Sequence, residues 1–167
     1  PKCFDKNEYD VRVIIPKYMC MKEEYKNQLQ YVTHFYMDIG YRREYVGIMQ
    51  MVYEGIQYYF IDNEYYFARS QVYGEYDDAE RFAFFSKAVL EILPDLDFKP
   101  DVINCNDWQS ALVPVYYNLM FAGHEFYQGM KTVFTIHNIA YQGRYGREIL
   151  EYVLGIDDAH YRSGFMA

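Results

Sequence analysis

The sequence predicts an α/β fold: a doubly wound, mostly parallel sheet with a β-hairpin excursion. Three observations lead there. Short β-branched or aromatic runs, "DVRVIIP" (Asp10–Pro16), "DVIN" (Asp101–Asn104) and "KTVFTI" (Lys131–Ile136), read as strands. Between them lies a stretch of helical period, "DDAERFAFFSKAVLEILP", in which Phe82, Phe85, Val89, Ile92 and Leu93 recur at three- and four-residue steps. Strands alternating with long helices imply right-handed parallel crossovers.

Along the chain, Val11–Ile15 is a strand stopped by Pro16. Lys17–Arg43 is polar and aromatic without a firm period and reads as loop with one helical turn or strand. "EYVGIMQMVYEGIQYYFID" (Glu44–Asp62) reads as two strands around Glu54-Gly55, a hairpin. Glu64–Tyr76 reads as loop. Asp77 followed by Glu80 resembles a capping box for the next helix, which Pro94 stops. After the strand near Asp101–Asn104, Asp107 is placed to cap a helix, "WQSALVPVYYNLMF", which Gly123 ends and Pro114 should kink. "KTVFTIHN" is the next strand, and Arg147–Gly155 a short amphipathic helix.

The 167 residues are enough for one domain, and 51% hydrophobic content calls for a core. Aromatics reach 20%, with 21 tyrosines. A tyrosine fills a core and still offers a hydroxyl. Tyrosine-rich surfaces also suit sugars and nucleobases, and a bias of composition explains the count equally well. The net charge of −8 disfavours nucleic acid and anionic membranes. Cys3, Cys20 and Cys105 are scattered, with no zinc-ligand spacing, and read as free thiols. Without a signal peptide or an apolar run near membrane-spanning length, the expectation is a soluble intracellular chain.

In open α/β sheets ligands sit beyond the carboxyl ends of the strands. Two such ends carry polar side chains here: "VINCNDW" brings Asn104, Asn106, Asp107 and Trp108, and "TVFTIHN" brings His137 and Asn138. Both sets should face one crevice. Asp107 could accept bonds from sugar hydroxyls, Trp108 offers a flat face for a pyranose, and His137 could donate to a hydroxyl or steady developing charge. Each also has a structural reading: Asp107 as a helix cap, His137 as a satisfied structural histidine, Trp108 as core, Gly143 and Gly146 as turn formers. Other chemistry is thin. There is no G-x-S-x-G, P-loop or G-x-G-x-x-G. The carboxylates of "YDDAE" (Tyr76–Glu80) favour capping over a glycosidase pair, and Arg42-Arg43 reads as a solvated basic pair.

Four blocks, in order, resemble one family: "YDVRVIIPKY", "YDDAERFAFFSKAVLE", "DVINCNDWQSALVP" and "KTVFTIHNIAYQG". Together they are similar to the bacterial glycogen synthases and plant starch synthases. The resemblance implies the GT-B architecture, two Rossmann-like domains across a deep cleft. It also implies transfer of glucose from ADP-glucose to the non-reducing end of an α-1,4-glucan, with retention and without metal or cofactor. By the same resemblance His137 matches the active-site histidine that contacts the donor glucose. Asp107 and Trp108 match a "DW" lining the sugar cleft, and Asn138, Tyr141 and Gln142 match the loop after the histidine. Tyr73 matches a tyrosine at the cleft. Asn104 and Asn106 stand where the family often has histidine. The family's K-T-G-G-L loop has no counterpart, since the chain contains no Gly-Gly. The expectation is therefore a partial N-terminal, acceptor-side domain, cut at both ends. It would lack the first β-α unit and the C-terminal nucleotide-binding domain, expose a strand edge, be inactive alone, and belong to the cytoplasm or plastid stroma. A non-catalytic glucan-binding or scaffold module is the alternative; sucrose synthase, of the same fold, is argued against by "HNIAYQG".

Overall fold

The β-branched run after Asp10 forms β1 (Arg12–Pro16), which pairs in parallel with β4 (Ile56–Asp62) from Arg12↔Gln57 to Pro16↔Ile61 in the computed structural model, which describes residues 1–162. β4 pairs on its other side, antiparallel, with β3 (Arg42–Tyr53), and β2 (Gln30–Ile39) completes a four-stranded sheet in the order β1-β4-β3-β2. The interior position of β4 follows from its sequence: Ile56, Tyr59, Phe60 and Ile61 are all buried, a run that leaves no polar face for water. The β3–β4 turn falls at Glu54-Gly55, both with positive φ (50° and 74°), the geometry that matches the twist of the flanking strands.

The stretch Lys17–Arg43 is less loop-like than its sequence suggests. It holds a single helical turn, α1 (Glu23–Lys26), and the ten-residue β2. β2 lies at the edge of the sheet and buries only Met37 and Ile39, so its apolar alternation is too diluted to stand out. Another turn, α2 (Glu64–Phe67), opens Glu64–Tyr76, with the Asn63 side chain accepting from the Tyr66 N–H at 3.2 Å.

The long helix is α3 (Asp78–Glu91). Asp77 stands at its N-cap position, but its side chain caps no N–H, because the backbone there (φ −101°, ψ 17°) is not the extended one that aims a side chain back at the first turn. Asp78 instead pairs with the fully buried Arg81. Glu80 pairs with Arg42, whose guanidinium also donates to the Val153 carbonyl at 3.3 Å. Arg42 is therefore drawn into a packed ion pair and is not the solvated residue its sequence suggested; Arg43 is exposed.

β5 (Val102–Asn106) and β6 (Lys131–Thr135) form a separate two-stranded parallel sheet, in register from Val102↔Lys131 to Asn106↔Thr135. The two parallel pairs thus come from two sheets, and the chain is a mixed α/β fold with parallel strands. The segment expected as one kinked helix is three short pieces: a 3₁₀ turn (Trp108–Ser110), α4 (Leu112–Tyr116) and a π turn (Tyr117–Phe121). Pro114 falls in the first turn of α4, where a missing N–H costs little, so the irregularity lies on either side of it. Within Arg147–Gly155 only a π turn, Leu150–Leu154, is formed, before α5 (Asp158–Arg162). Residues 163–167 lie outside the described residues.

The chain divides into two compact units, Pro1–Tyr36 with Tyr45–Glu75, and Met37–Glu44 with Tyr76–Ala167. Val46, Ile48, Ile61, Tyr66 and Phe67 form the core of the first; Ala83, Phe84, Leu90, Ile92, Tyr116 and Ile156 are among the core of the second. Buried tyrosines close backbone carbonyls in the second unit. Tyr116 donates to Leu154 (2.8 Å), Tyr127 to Leu90 (3.0 Å), and Tyr117 to both Tyr127 and Met130 (3.0 Å each). Among the described residues no helix is long and apolar enough to cross a membrane.

Candidate functional site

The parallel register that sets Asn106 beside Thr135 brings the two polar strand ends together. The Asp107 N–H donates to the Thr135 carbonyl at 2.9 Å, extending the ladder by one residue. Beyond it, side chains cross diagonally between the strands: the Thr135 hydroxyl donates to the Asn104 amide oxygen at 3.0 Å, and the His137 ring nitrogen Nε2 meets the Asn106 amide oxygen at 2.9 Å. An amide oxygen only accepts, so Nε2 is the donor in this contact.

Asp107 is held in a conformation that only glycine adopts readily, with φ 57° and ψ 178°. Its carboxylate oxygen Oδ1 accepts from the backbone N–H of His137 at 2.8 Å and of Asn138 at 3.4 Å. Its carbonyl accepts from the Ser110 N–H at 3.1 Å, and the Ser110 hydroxyl bonds the Asn106 carbonyl at 2.8 Å. These bonds over-determine the strained residue. The expected helix cap is not made, because the carboxylate is drawn across to the neighbouring strand end. Such strain characteristically gathers where a site is built.

Trp108 is half-buried, edge-to-face with Phe82 at a centroid distance of 5.0 Å and an interplanar angle of 82°. Gly143 approaches the indole so closely that a Cβ there would fall on the six-membered ring. The loop after β6 is therefore moored to Trp108. Within that loop the Asn138 side chain accepts from the Ala140 N–H at 3.0 Å, an Asx turn, and the Gln142 amide donates to the Ile139 carbonyl at 2.8 Å. His137, Asn138, Tyr141 and Gln142 are all exposed.

The structure thus gathers Asp107, His137 and Asn138 by direct contact, with Trp108 adjoining Asp107 and tied to their loop. Tyr73 belongs to the first unit, on an exposed stretch after α2. Sequence reasoning missed the bond from Asn106 to His137, the clasp of Asp107 on two backbone N–H groups, and the seat of Gly143 on Trp108. Only the parallel register could have suggested the first. Tyr145 was also missed; burial, with Asp78 nearby, raises its hydroxyl pKa. Among the described residues no group of three His, Cys, Asp or Glu side chains is placed to hold a metal ion.

A family model described as the starch synthase catalytic domain matches residues 1–166. The chain belongs to this family. Individual relatives are similar over nearly all of the chain. The glycogen synthase of Lachnoclostridium phytofermentans is 48% identical over 162 residues, covering 96% of this chain and 34% of that protein. The glycogen synthase of Lachnospira eligens is 48% identical over 164 residues, covering 98% of this chain and 34% of its own length. The chain thus spans about a third of the length of the curated relatives it matches. Among solved structures, the catalytic domain of starch synthase IV from Arabidopsis thaliana, bound to ADP and acarbose, superposes with a TM-score of 0.81. It shares 32% identity and covers 92% of this chain and 32% of its own. The α/β arrangement is that of the N-terminal domain of a GT-B glycosyltransferase.

Proposed function

We propose that this chain forms the acceptor side of a glucosyltransferase that moves glucose from ADP-glucose to the non-reducing end of an α-1,4-glucan, with retention. The observation that carries the proposal is His137, held at the carboxyl end of β6 by Asn106 and by the strained Asp107 beneath its backbone. Family membership and relatives that are glycogen synthases support it, as does a structural neighbour bound to ADP and acarbose.

In this reading His137 contacts the donor glucose. With Nε2–H given to Asn106, its Nδ1 meets a sugar hydroxyl, and the ring lies beside the positive charge that develops at the anomeric carbon. Asp107 is a positioning residue, fixing the His137 and Asn138 backbone by its carboxylate. Trp108 anchors the loop carrying Tyr141 and Gln142, which line the sugar path, and Tyr73 joins the cleft in the whole enzyme. Groups that balance the leaving diphosphate, and a catalytic glutamate, belong to a C-terminal nucleotide-binding domain, and a first β-α unit with the phosphate-reaching loop completes the N-terminal domain. Because catalysis needs preorganised groups from both sides, the chain alone binds glucan but does not transfer glucose. No metal or cofactor enters the proposal. The place of action is the bacterial cytoplasm, or the plastid stroma in a plant.

Trp108 is the one tryptophan of the chain and reports on this site. Its emission is expected to change saturably when the folded chain is titrated with maltohexaose. Unchanged emission with both maltohexaose and ADP-glucose would count against an acceptor side here. ADP-glucose-dependent extension of maltohexaose by the chain alone would overturn the division of labour between two domains.

A further inference from the structure

Four polar side chains share one face of the β5–β6 sheet at its carboxyl end. Residues two apart along a strand point the same way, so Asn104 and Asn106 stand together on β5, and Thr135 and His137 stand together at the end of β6. The register sets Asn106 opposite Thr135 and leaves His137 two residues beyond that last pair. The His137 ring therefore reaches back diagonally, and its Nε2 lies 2.9 Å from Asn106 Oδ1.

An amide has a donor end and an acceptor end, nearly alike in shape, and the end that faces a ring decides which way the proton points. A second bond fixes that choice here. Asn106 Nδ2 donates to the Asn104 carbonyl at 3.3 Å. Turned over, the amide would lose this bond and set its oxygen against the carbonyl oxygen, two acceptors face to face. Asn104 is held in its turn, its Oδ1 accepting from the Thr135 hydroxyl at 3.0 Å. The backbone of His137 is fixed separately, since Asp107 Oδ1 accepts from its N–H at 2.8 Å. Nδ1 of the ring has no hydrogen-bond partner among the described residues.

We propose that Asn106 is a positioning residue: it holds the neutral His137 ring as the Nε2–H tautomer and so makes Nδ1 an acceptor toward the substrate. That a sugar meets Nδ1 rests on the proposed function; the tautomer rests on the two bonds of the amide. An acceptor at this point takes a group that donates, such as a hydroxyl, and gains nothing from an ether oxygen. A ring carrying its proton on Nδ1 would present the opposite polarity. One amide, keyed to its own strand, thus decides which kind of group His137 recognises, and it does so through His137 without touching the substrate.

The test is ring ¹H–¹⁵N spectroscopy of the ¹⁵N-labelled chain, without ligand, at about pH 8.5, above the ordinary imidazole range. The shift of each ring nitrogen reports whether it carries a proton, and His137→Gln identifies the signals. The expected result is a protonated Nε2 and an unprotonated Nδ1. In Asn106→Leu, which is close in size and has no acceptor, the Nε2 proton should exchange with water about fivefold faster, the loss of one neutral hydrogen bond, and an Nδ1–H form should appear. Asn106→Asp keeps an acceptor oxygen in place and should retain the slower exchange and the Nε2–H form. Asn106 is exposed, so neither variant opens the core. An Nδ1–H ring in the unsubstituted chain would overturn the assignment, as would unchanged exchange and tautomer in Asn106→Leu. Equal losses in Asn106→Leu and Asn106→Asp would overturn it too, because the acceptor would then not be the cause. None of these results touches the proposed function, whose failure is read separately from Trp108 emission with maltohexaose and ADP-glucose.

Discussion

At Asp107 the backbone sits at φ 57° and ψ 178° while the carboxylate holds two N–H groups of the facing strand end. The two effects oppose each other and can be separated. Asp107→Ala keeps the strain and loses the clasp, and is expected to lower unfolding stability by about 2–3 kcal/mol. Asp107→Gly loses the clasp but relieves the strain, and should cost about 1 kcal/mol less than alanine. Urea unfolding of both measures the difference; equal losses would remove strain from the account. Alkali tests other residues. Burial pushes the Cys105 thiol up to about 11 from an ordinary 9.0 and the Tyr127 hydroxyl up to about 12 from 10.0, and raises Tyr116 as well. These groups bind their protons more tightly when folded, so their contribution is fully present below pH 9 and lost as pH rises through 11 to 12. Stability should therefore fall across that window, and denaturant melts from pH 8 upward, to about 11, check it. At this scale the sequence made Asp107, His137 and Asn138 visible as neighbours, because polar residues at the ends of parallel strands share a crevice. It could not show that the Asp107 carboxylate serves the backbone and not the helix start, since that choice depends on a partner thirty residues away in register.

The loop after β6 owes its position to a contact between elements, Gly143 against Trp108. Gly143→Ala puts a methyl group on the indole and is expected to cost about 1–3 kcal/mol, as overpacking does. Because Trp108 is the sole tryptophan, a shift in its emission maximum should accompany the loss. An unchanged spectrum would mean that the loop is moored elsewhere. Elements with a strong local signal were legible from sequence: α3 from its apolar spacing, β3 and β4 as the two arms of a hairpin, the turn between them from Glu54-Gly55. β2 was not, because an edge strand with one partly buried face keeps too many polar and tyrosine residues to alternate cleanly. Nor was the break-up of Trp108–Phe121 into 3₁₀, α and π turns, which is set by packing and carries no composition signal.

In the second unit, the two-stranded β5–β6 sheet is open on both sides. Both strands are edges, and Val102, Val133, Phe134 and Ile136 are exposed on or beside them. Unpaired edges with apolar side chains invite pairing between copies, and the net charge of −8 opposes it. Self-association is therefore expected to grow with salt, as screening removes the repulsion. Sedimentation at low ionic strength and at about 0.5 M salt checks this; a monomer under both conditions would show the edge to be protected. The α/β class was legible because strand and helix patterns alternate; the division into two units and two sheets was not, since pairing partners far apart in sequence leave no local trace. The tyrosine count, ambiguous as a number, is partly explained by where the hydroxyls go. Tyr116, Tyr117 and Tyr127 each close a backbone carbonyl inside the second unit. Tyrosine and phenylalanine codons differ by a single base, so mutation offers that exchange continually. At these three positions it would orphan a buried carbonyl, and natural selection has reason to refuse it. At Tyr76 and Tyr152, whose rings are exposed, no buried carbonyl depends on the hydroxyl, and lineages are free to drift.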